Sequence, residues 1–179
     1  MDFYPAFENL AYLRATQPRM NVMPAFSMQQ NVQDELYDVN SNLPQALQLI
    51  EQAVEGETED RLFYQYLISQ APAEQDKETI GGIRDDEMKH YLMFRQVYSE
   101  LTGNALPPAP EVPFERPASY CAGLRKALMG EQHAVTKYRR ILYAMKDRRH
   151  INMLTEIITD ELRHLGLYNY LYAKNKCVE

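Results

Sequence analysis

Residues 160–164 read Asp-Glu-Leu-Arg-His, and residues 86–90, 74 positions earlier, read Asp-Glu-Met-Lys-His. In each stretch a glutamate precedes a histidine by three positions, which places both side chains on one face of a helix, where they can reach the same metal ion. A further glutamate, itself preceded by a glycine, stands 30 positions before each of these glutamates, at Glu57 and Glu131. The chain therefore contains an internal repeat, which implies a pseudo-twofold axis through a shared site.

Apolar residues surround these motifs at alternating spacings of three and four, as in helices that pack along one buried stripe. We predict four helices. The first three span about residues 43–69, 73–101 and 118–145, and the fourth runs from the polar turn at Lys146 and Asp147 to about residue 174. Each stripe is interrupted near its middle by a glutamate. Because a solvated charge does not normally occupy such a position, these glutamates indicate a polar site inside the helical core.

Two kinds of break separate the predicted helices. Pro72 and the pair Lys146 and Asp147 mark tight turns, whereas residues 102–117 carry five prolines and cannot lie inside a helix. When extended, this link of about 16 residues reaches roughly 50 Å, enough to run the full length of one helix. Two tight hairpins joined by one long crossover describe an all-α fold, a ferritin-like four-helix bundle.

Residues 1–42 differ in composition from the remainder of the chain. They contain Pro5, Pro18 and Pro24, several aromatic residues and a stretch rich in glutamine and asparagine. We predict an extended N-terminal arm over residues 1–42, without a long helix, and a bundle domain over residues 43–179. A floppy tail and an arm that docks on the bundle or on a partner chain both agree with this composition.

The two hairpins bring the polar interruptions together, because residues equidistant from the turn of an antiparallel hairpin lie at the same height. Six side chains should therefore share one layer of the bundle: Glu57, Glu87, His90, Glu131, Glu161 and His164. Four carboxylates clustered in an apolar core repel one another and are costly to desolvate. Two divalent cations would balance the four negative charges if both histidines are neutral. The sequence therefore predicts a dinuclear metal site.

Composition excludes several classes of protein. The 179 residues carry a net charge of −6, whereas a protein that binds nucleic acid phosphates would show a basic stripe. No apolar run is long enough for a membrane span, and the first residues lack the pattern of a signal peptide. Cys121 and Cys177 are far apart in sequence and form no CxxC motif, so we expect neither a disulfide scaffold nor a thiolate zinc site. These features predict a soluble, cytoplasmic protein in a reducing compartment.

The succession Glu…ExxH…Glu…ExxH, with this spacing and internal repeat, resembles the ferritin-like di-iron carboxylate proteins over about residues 43–175. Within them it is most similar to the rubrerythrin and bacterioferritin branch. The resemblance implies that Glu57 and Glu131 are terminal ligands, one for each of two iron ions. It also implies that Glu87 and Glu161 bridge the two ions and that His90 and His164 complete their coordination.

The resemblance also implies a support for each imidazole. In such sites an aspartate often holds the outer nitrogen of a histidine ligand. By this resemblance Asp86 would serve His164, and Asp160 would serve His90. The alternative is that both aspartates are ordinary solvated charges on their helices.

Other residues qualify the resemblance. Tyr64 and Tyr138 each follow a predicted ligand by seven positions and are candidate catalytic or redox tyrosines beside the site, although an ordinary core tyrosine explains each equally well.

Rubrerythrins carry a further glutamate where this chain has Ala134, and they usually end in a rubredoxin domain with CxxC motifs, which this sequence lacks. Cage-forming ferritins have a fifth helix that is also missing before Glu179. We therefore expect a homodimer rather than a cage.

Carboxylate and imidazole ligands suit Fe(II) or Mn(II), and a pair of such ions can pass electrons to O₂ or peroxide. Three hypotheses about function remain open. The first is an oxidoreductase that a separate electron-donor protein re-reduces, and the second is an iron-binding protein that oxidises Fe(II) as it handles it. The third is a helical assembly protein whose metal ions only stabilise the bundle. The complete and symmetric ligand set favours redox chemistry over the structural role, and the path of substrate entry would distinguish the first two.

Overall fold

A computed structural model of the chain describes residues 37–110 and 113–177, and the side chains of Ser41 and Glu57 lie outside that description. Within these ranges the chain forms five α-helices and no β-strand. Their bounds are α1 Val39–Glu55, α2 Glu57–Gln70, α3 Glu74–Thr102, α4 Tyr120–Tyr143 and α5 Arg148–Lys174. The prediction of an all-α, ferritin-like helical bundle is confirmed. Residues 1–36 of the predicted arm lie outside the described residues.

The first predicted helix is divided in two, so the prediction of one continuous helix over residues 43–69 was wrong. Gly56 forms a turn between α1 and α2, and its N–H donates to the carbonyl of Val54 instead of continuing the helical ladder. Glycine permits this break because it is a poor helix former. α1 also begins earlier than predicted, at Val39, where the side chain of Asp38 accepts from the N–H of Asn40 and caps the helix.

The long connection between α3 and α4 runs along the bundle, as predicted. Near its start, Arg95 in the last third of α3 donates to the carbonyl of Pro107 at 2.7 Å. Near its end, the hydroxyl of Tyr66 in α2 donates to the carbonyl of Pro117 at 3.0 Å. Arg95 and Tyr66 lie at opposite ends of the α2–α3 hairpin, so this connection crosses from one end to the other. No helix in the described residues is long and apolar enough to cross a membrane.

Among the described residues, the apolar core consists of two separate clusters of buried side chains. One includes Ile50, Phe94, Ile141 and Leu154, and the other includes Leu67, Ile80, Leu124 and Leu171. Along α3 and α5, residues of the two clusters stand on either side of the ExxH motifs. The polar layer predicted from the sequence therefore lies between two apolar layers, which exclude water from both sides.

The two cysteines form a disulfide, which corrects the expectation drawn from their separation in sequence. Cys121 lies in the first turn of α4, Cys177 follows the end of α5, and their Cα atoms are 5.3 Å apart. Because the α4–α5 hairpin brings its two ends together, a sequence separation of 56 residues corresponds to neighbouring positions in space. The lack of a CxxC motif therefore gave no information about this pairing, and the cysteines provide no support for a reducing compartment.

A buried carboxylate, Asp76, joins the first turn of α3 to the end of α5. It accepts hydrogen bonds from Nζ of Lys174 and, at 3.0 Å, from Nδ2 of Asn175. Burial by itself would raise the pKa of Asp76, but these two donors hold the pKa below its usual value. The positive end of the α3 dipole favours a negative charge at the same position.

Replacing this carboxylate with an amide, Asp76→Asn, should lower the free energy of unfolding by about 2 kcal/mol at pH 7, because charge-assisted hydrogen bonds are lost. A carboxyl whose pKa is lowered on folding stabilises the protein above its unfolded pKa of about 3.9, and this contribution is lost as the pH falls through the folded pKa. The difference between wild type and variant in urea unfolding should therefore shrink from pH 7 to pH 3. Glu74→Gln, which removes an exposed partner of Lys77, is the control and should have little effect. An equal difference at both pH values would contradict this role for Asp76.

Candidate metal centre

Five of the six predicted ligands have described side chains, and all five lie in the layer between the two apolar clusters. α3 supplies Glu87 and His90, α5 supplies Glu161 and His164, and α4 supplies Glu131. The three-residue spacing within each motif turns its glutamate and histidine toward the same side of the helix. Both histidines, Glu131 and Glu161 are at most 5% exposed. Carboxylates at this depth are costly unless a counter-charge accompanies them.

The carboxylates of the layer point at the Nδ1 atoms of the two imidazoles. Glu87 lies between the rings, with Oε1 3.0 Å from Nδ1 of His164 and Oε2 3.5 Å from Nδ1 of His90. Oε1 of Glu161 is 3.1 Å from Nδ1 of His90, and Oε2 of Glu131 is 3.9 Å from Nδ1 of His164. One donor atom each from Glu87, Glu131, Glu161 and His164 lies within 4.8 Å of the others. This spacing is compact enough for these side chains to share a metal ion.

The outer nitrogens of both imidazoles face aspartates on the opposite helix. Nε2 of His90 is 3.1 Å from Oδ2 of Asp160, and Nε2 of His164 is 3.2 Å from Oδ2 of Asp86. An aspartate that accepts a hydrogen bond from Nε2–H leaves Nδ1 as the nitrogen that can bind a metal. The structure thus brings together the two pairs that the resemblance implies, while their role in metal binding stays a prediction.

Four buried atoms of the layer have no hydrogen-bond partner among the described residues: Oε1 of Glu87, Nδ1 of His90, Oε1 of Glu161 and Nδ1 of His164. All four atoms take part in the contacts between carboxylates and imidazoles. These oxygen and nitrogen atoms therefore lie close together without the geometry of a hydrogen bond. Buried polar atoms are nearly always hydrogen-bonded, and a set of unsatisfied ones needs an explanation. Oxygen and nitrogen donors of this kind suit iron and manganese, so the residues present fit a bound metal.

Without a metal ion, the electrostatics of the cluster favour protons on both imidazoles and on Glu131. Burial by itself would raise the pKa of Glu87, but the two imidazoles hold it below its usual value. Burial disfavours the charged form of His90, but Glu161 and Glu87 beside it raise its pKa to about 10. The pKa of His164 is also raised, because the charge of Glu87 outweighs the effect of burial. Burial, together with the neighbouring Glu161, raises the pKa of Glu131 to about 12. Since a metal ion must displace these protons, metal binding and proton release are coupled.

The remaining predicted site residues lie around this layer. Glu57 is the first residue of α2, but its side chain lies outside the described part of the chain, so its role as a ligand stays a prediction. Tyr64 and Tyr138 are buried and line a cavity that reaches the layer. Burial raises the pKa of both hydroxyls well above the usual value, with a further contribution from the carboxylates of the cluster.

This cavity has a volume of about 320 Å³, and Glu87, Glu131 and Glu161 form part of its wall. Ala134 also lines it, at the position where rubrerythrins carry a further glutamate, so a small side chain borders the space there. The cavity gives a small molecule access to one side of the carboxylate cluster.

Outside the cluster, the charged residues of the cavity wall are of both signs. Glu59 and Asp60 are acidic, and Lys126 and Lys137 are basic. Lys126 pairs with Glu59 at 3.2 Å between Nζ and Oε1. Burial lowers the pKa of Lys137. Sequence reasoning did not identify Lys137, because neither the motifs nor the apolar pattern distinguishes it from a surface lysine.

Sequence reasoning also missed Arg163, which contacts both of the aspartates that face the imidazoles. Its Nη2 donates to Oδ2 of Asp86 at 2.7 Å and to Oδ1 of Asp160 at 2.8 Å. The spacing of three residues between Asp160 and Arg163 was a signal that could have indicated the second contact. The first contact crosses between helices and had no local signal.

Comparison with known proteins identifies relatives of the chain. A family model described as Rubrerythrin matches residues 48–172, a range that includes all six predicted ligands. The chain is also 26% identical, over 127 residues, to a protein of Bacillus subtilis (strain 168) described as "Uncharacterized protein YhjR". The matched region covers 71% of this chain and 86% of that protein. No solved structure gives a significant match.

Proposed function

The chain belongs to the rubrerythrin family, and we propose that it is a di-iron oxidoreductase that reduces peroxide or O₂ with electrons from a separate donor protein. Iron is the metal that the family suggests, and manganese is the alternative that the donor set allows. The proposed ligands are Glu57, Glu87, His90, Glu131, Glu161 and His164. A homodimer and a cytoplasmic location remain predictions from the sequence.

The contacts of two carboxylates support the proposal that Glu87 and Glu161 bridge a pair of ions. The two oxygens of Glu87 face different imidazoles, at 3.0 Å from His164 and 3.5 Å from His90. Glu161 lies beside His90 and also next to Glu131, whose pKa it raises. Glu87 therefore contacts both imidazoles, and Glu161 contacts His90 as well as Glu131. Of the two imidazoles, Glu131 approaches that of His164.

The cavity beside the cluster is the observation that carries the choice of substrate. Hydrogen peroxide and O₂ are small and uncharged, and a space of about 320 Å³ accommodates either of them. Its outer charges are balanced, with Lys126 and Lys137 against Glu59 and Asp60, so it provides no strongly acidic path to concentrate Fe²⁺. The same charges make it a poor binding site for an apolar organic substrate.

The side chains around the cavity can donate hydrogen bonds to a bound oxidant, and Lys137 can supply a proton that the reaction consumes. Reduction of hydrogen peroxide to two waters takes up two electrons and two protons. When bound, an iron pair would supply the two electrons, which the separate donor would then restore. Tyr64 and Tyr138 keep their hydroxyl protons at neutral pH because burial raises their pKa, and they can donate hydrogen bonds into the cavity. Lys137 releases its proton more readily than an exposed lysine, because burial lowers its pKa.

Cycles of oxidation and re-reduction test this proposal. In protein loaded anaerobically with about two equivalents of Fe(II) per chain, one equivalent of hydrogen peroxide should oxidise the bound iron. O₂ should oxidise it as well. Ascorbate should then re-reduce the bound iron, and the cycle should repeat without loss of iron. Stopped-flow absorbance measures the oxidation, and iron content is measured after each cycle. Glu161→Ala, which removes a proposed bridging ligand, should abolish the oxidation phase.

Two outcomes would contradict the proposal. If Fe(II) added well beyond two equivalents is oxidised and retained by the protein, the site handles iron as a substrate. If the loaded protein is stabilised by metal but neither oxidant reacts with it, the metal is structural.

A further inference from the structure

A single guanidinium nitrogen joins the supports of the two histidines. Nη2 of Arg163 donates to Oδ2 of Asp86 at 2.7 Å and to Oδ1 of Asp160 at 2.8 Å. The same two aspartates face Nε2 of His164 and Nε2 of His90, respectively. A continuous chain of polar contacts therefore runs from one imidazole, through Arg163, to the other imidazole on the outer side of the cluster.

The two aspartates need a cation between them to keep this arrangement. Because both contact the same nitrogen atom, their carboxylates are close enough to repel each other. Without Arg163, the lower-energy arrangement turns one carboxylate toward solvent, and its histidine then loses the acceptor that fixes the ring. The guanidinium suits this position because it stays charged at all physiological pH values and offers several donors in a fixed plane.

The internal repeat provides a direct comparison, because Lys89 occupies the position equivalent to Arg163 in the other half. Lys89 pairs with Glu156 instead, and both of these side chains are about half exposed, at 53% and 49%. One half of the repeat thus supplies a cation that hydrogen-bonds to both aspartates. The equivalent cation of the other half pairs with Glu156 and adds only a weaker electrostatic interaction with those aspartates. This asymmetry indicates a specific role for Arg163.

We propose that Arg163 is a positioning residue that holds both imidazoles, through Asp86 and Asp160, with Nδ1 directed at the metal positions. The proposal rests on the proposed function, since it assumes metal ions at both Nδ1 atoms. Arg163 touches none of the proposed ligands' donor atoms in the contacts described, so its effect is transmitted through the aspartates. Its side chain is 51% exposed, so replacing it should leave no cavity in the core.

Three full-length variants test this role: Arg163→Gln, Arg163→Lys and, as the matched control, Lys89→Gln. The stepwise affinity for Zn(II) is measured by competition with a chelator of known affinity. The Nε2–H proton resonances of His90 and His164 in the Zn(II)-loaded protein report the hydrogen bond to each aspartate. Thermal unfolding of each metal-free variant confirms that it is folded.

Arg163→Gln should weaken binding of the metal ions by about 10- to 100-fold, the usual effect of losing a residue that orients a ligand. It should also shift both Nε2–H resonances, which a merely structural role of Arg163 would leave unchanged. Arg163→Lys should restore part of the affinity because it keeps the charge but not the planar fork. Lys89→Gln should leave both the affinity and the resonances close to those of wild type.

Each contrary result has a separate meaning. If wild type binds Zn(II) and Arg163→Gln binds it equally tightly with unchanged resonances, Arg163 does not position the imidazoles. If Arg163→Gln and Lys89→Gln weaken binding equally, the effect is one of surface charge, and the proposal is wrong. If wild type binds neither Zn(II) nor Fe(II), the proposed function fails and this inference fails with it.

Discussion

Glu87→Ala and Glu161→Ala should each reduce the bound iron from about two equivalents per chain to nearly none, whereas Glu131→Ala should keep about one. The two oxygens of Glu87 lie at different imidazoles, so its removal takes a donor from both halves of the cluster. Glu161 likewise lies beside both His90 and Glu131. Iron content after anaerobic loading with Fe(II) and gel filtration measures the result.

The control for this series is Glu78→Ala, which removes an exposed glutamate from the same helix as Glu87 and should leave the iron content unchanged. Glu57→Ala is expected to behave like Glu131→Ala, a prediction that follows from the internal repeat alone. If Glu87→Ala, Glu161→Ala and Glu131→Ala all keep two equivalents, the predicted layer does not bind the metal. Circular dichroism of each metal-free variant shows whether loss of iron reflects loss of the fold.

The layer that holds the candidate site could be predicted from the sequence because helical geometry is regular. A rise of 1.5 Å per residue and a fixed angle per residue convert sequence spacing into height and direction on a helix. The turn at Pro72 then sets the relative heights of Glu57 and Glu87, and the turn at Lys146 and Asp147 sets those of Glu131 and Glu161. The same regularity places His90 and His164 on the faces of their glutamates. The contacts of these histidines with aspartates were implied by the resemblance to a family rather than by spacing.

Features that depend on contacts between helices could not be predicted in this way. The Cys121–Cys177 disulfide depends on where the ends of a hairpin meet, and the contact of Arg163 with Asp86 depends on how α3 and α5 pack. The break at Gly56 has a different cause. Glycine permits a break but does not require one, since Gly130, its counterpart in the repeat, lies inside the continuous helix α4. Tertiary packing decides between these outcomes, and the local sequence does not encode that packing.

Removal of metal should make the stability of the protein fall as the pH rises. The pKa of His90 is raised from about 6.5 in the unfolded chain to about 10 in the folded one. A group of this kind stabilises the fold fully below its unfolded pKa, and the contribution is lost as the pH rises through the folded pKa. For one such proton, the free energy of unfolding should drop by roughly 2.5 kcal/mol between pH 7 and pH 9. The raised pKa values of His164 and Glu131 act in the same direction, whereas the lowered pKa of Lys137 opposes them.

Bound metal should oppose this pH dependence, because the ion replaces the protons at the imidazoles and carboxylates. As the pH rises, fewer protons compete with the metal, so its affinity and the stabilisation it provides both increase. The difference in free energy of unfolding between Mn(II)-loaded and metal-free protein, measured anaerobically in urea, should therefore widen from pH 6.5 to pH 9. In Glu161→Ala this difference should be close to zero at every pH, because a proposed bridging ligand is missing. If the metal-free wild type is as stable at pH 9 as at pH 7, the cluster does not hold the protons that the raised pKa of His90 implies, and burial rather than the neighbouring carboxylates governs that imidazole.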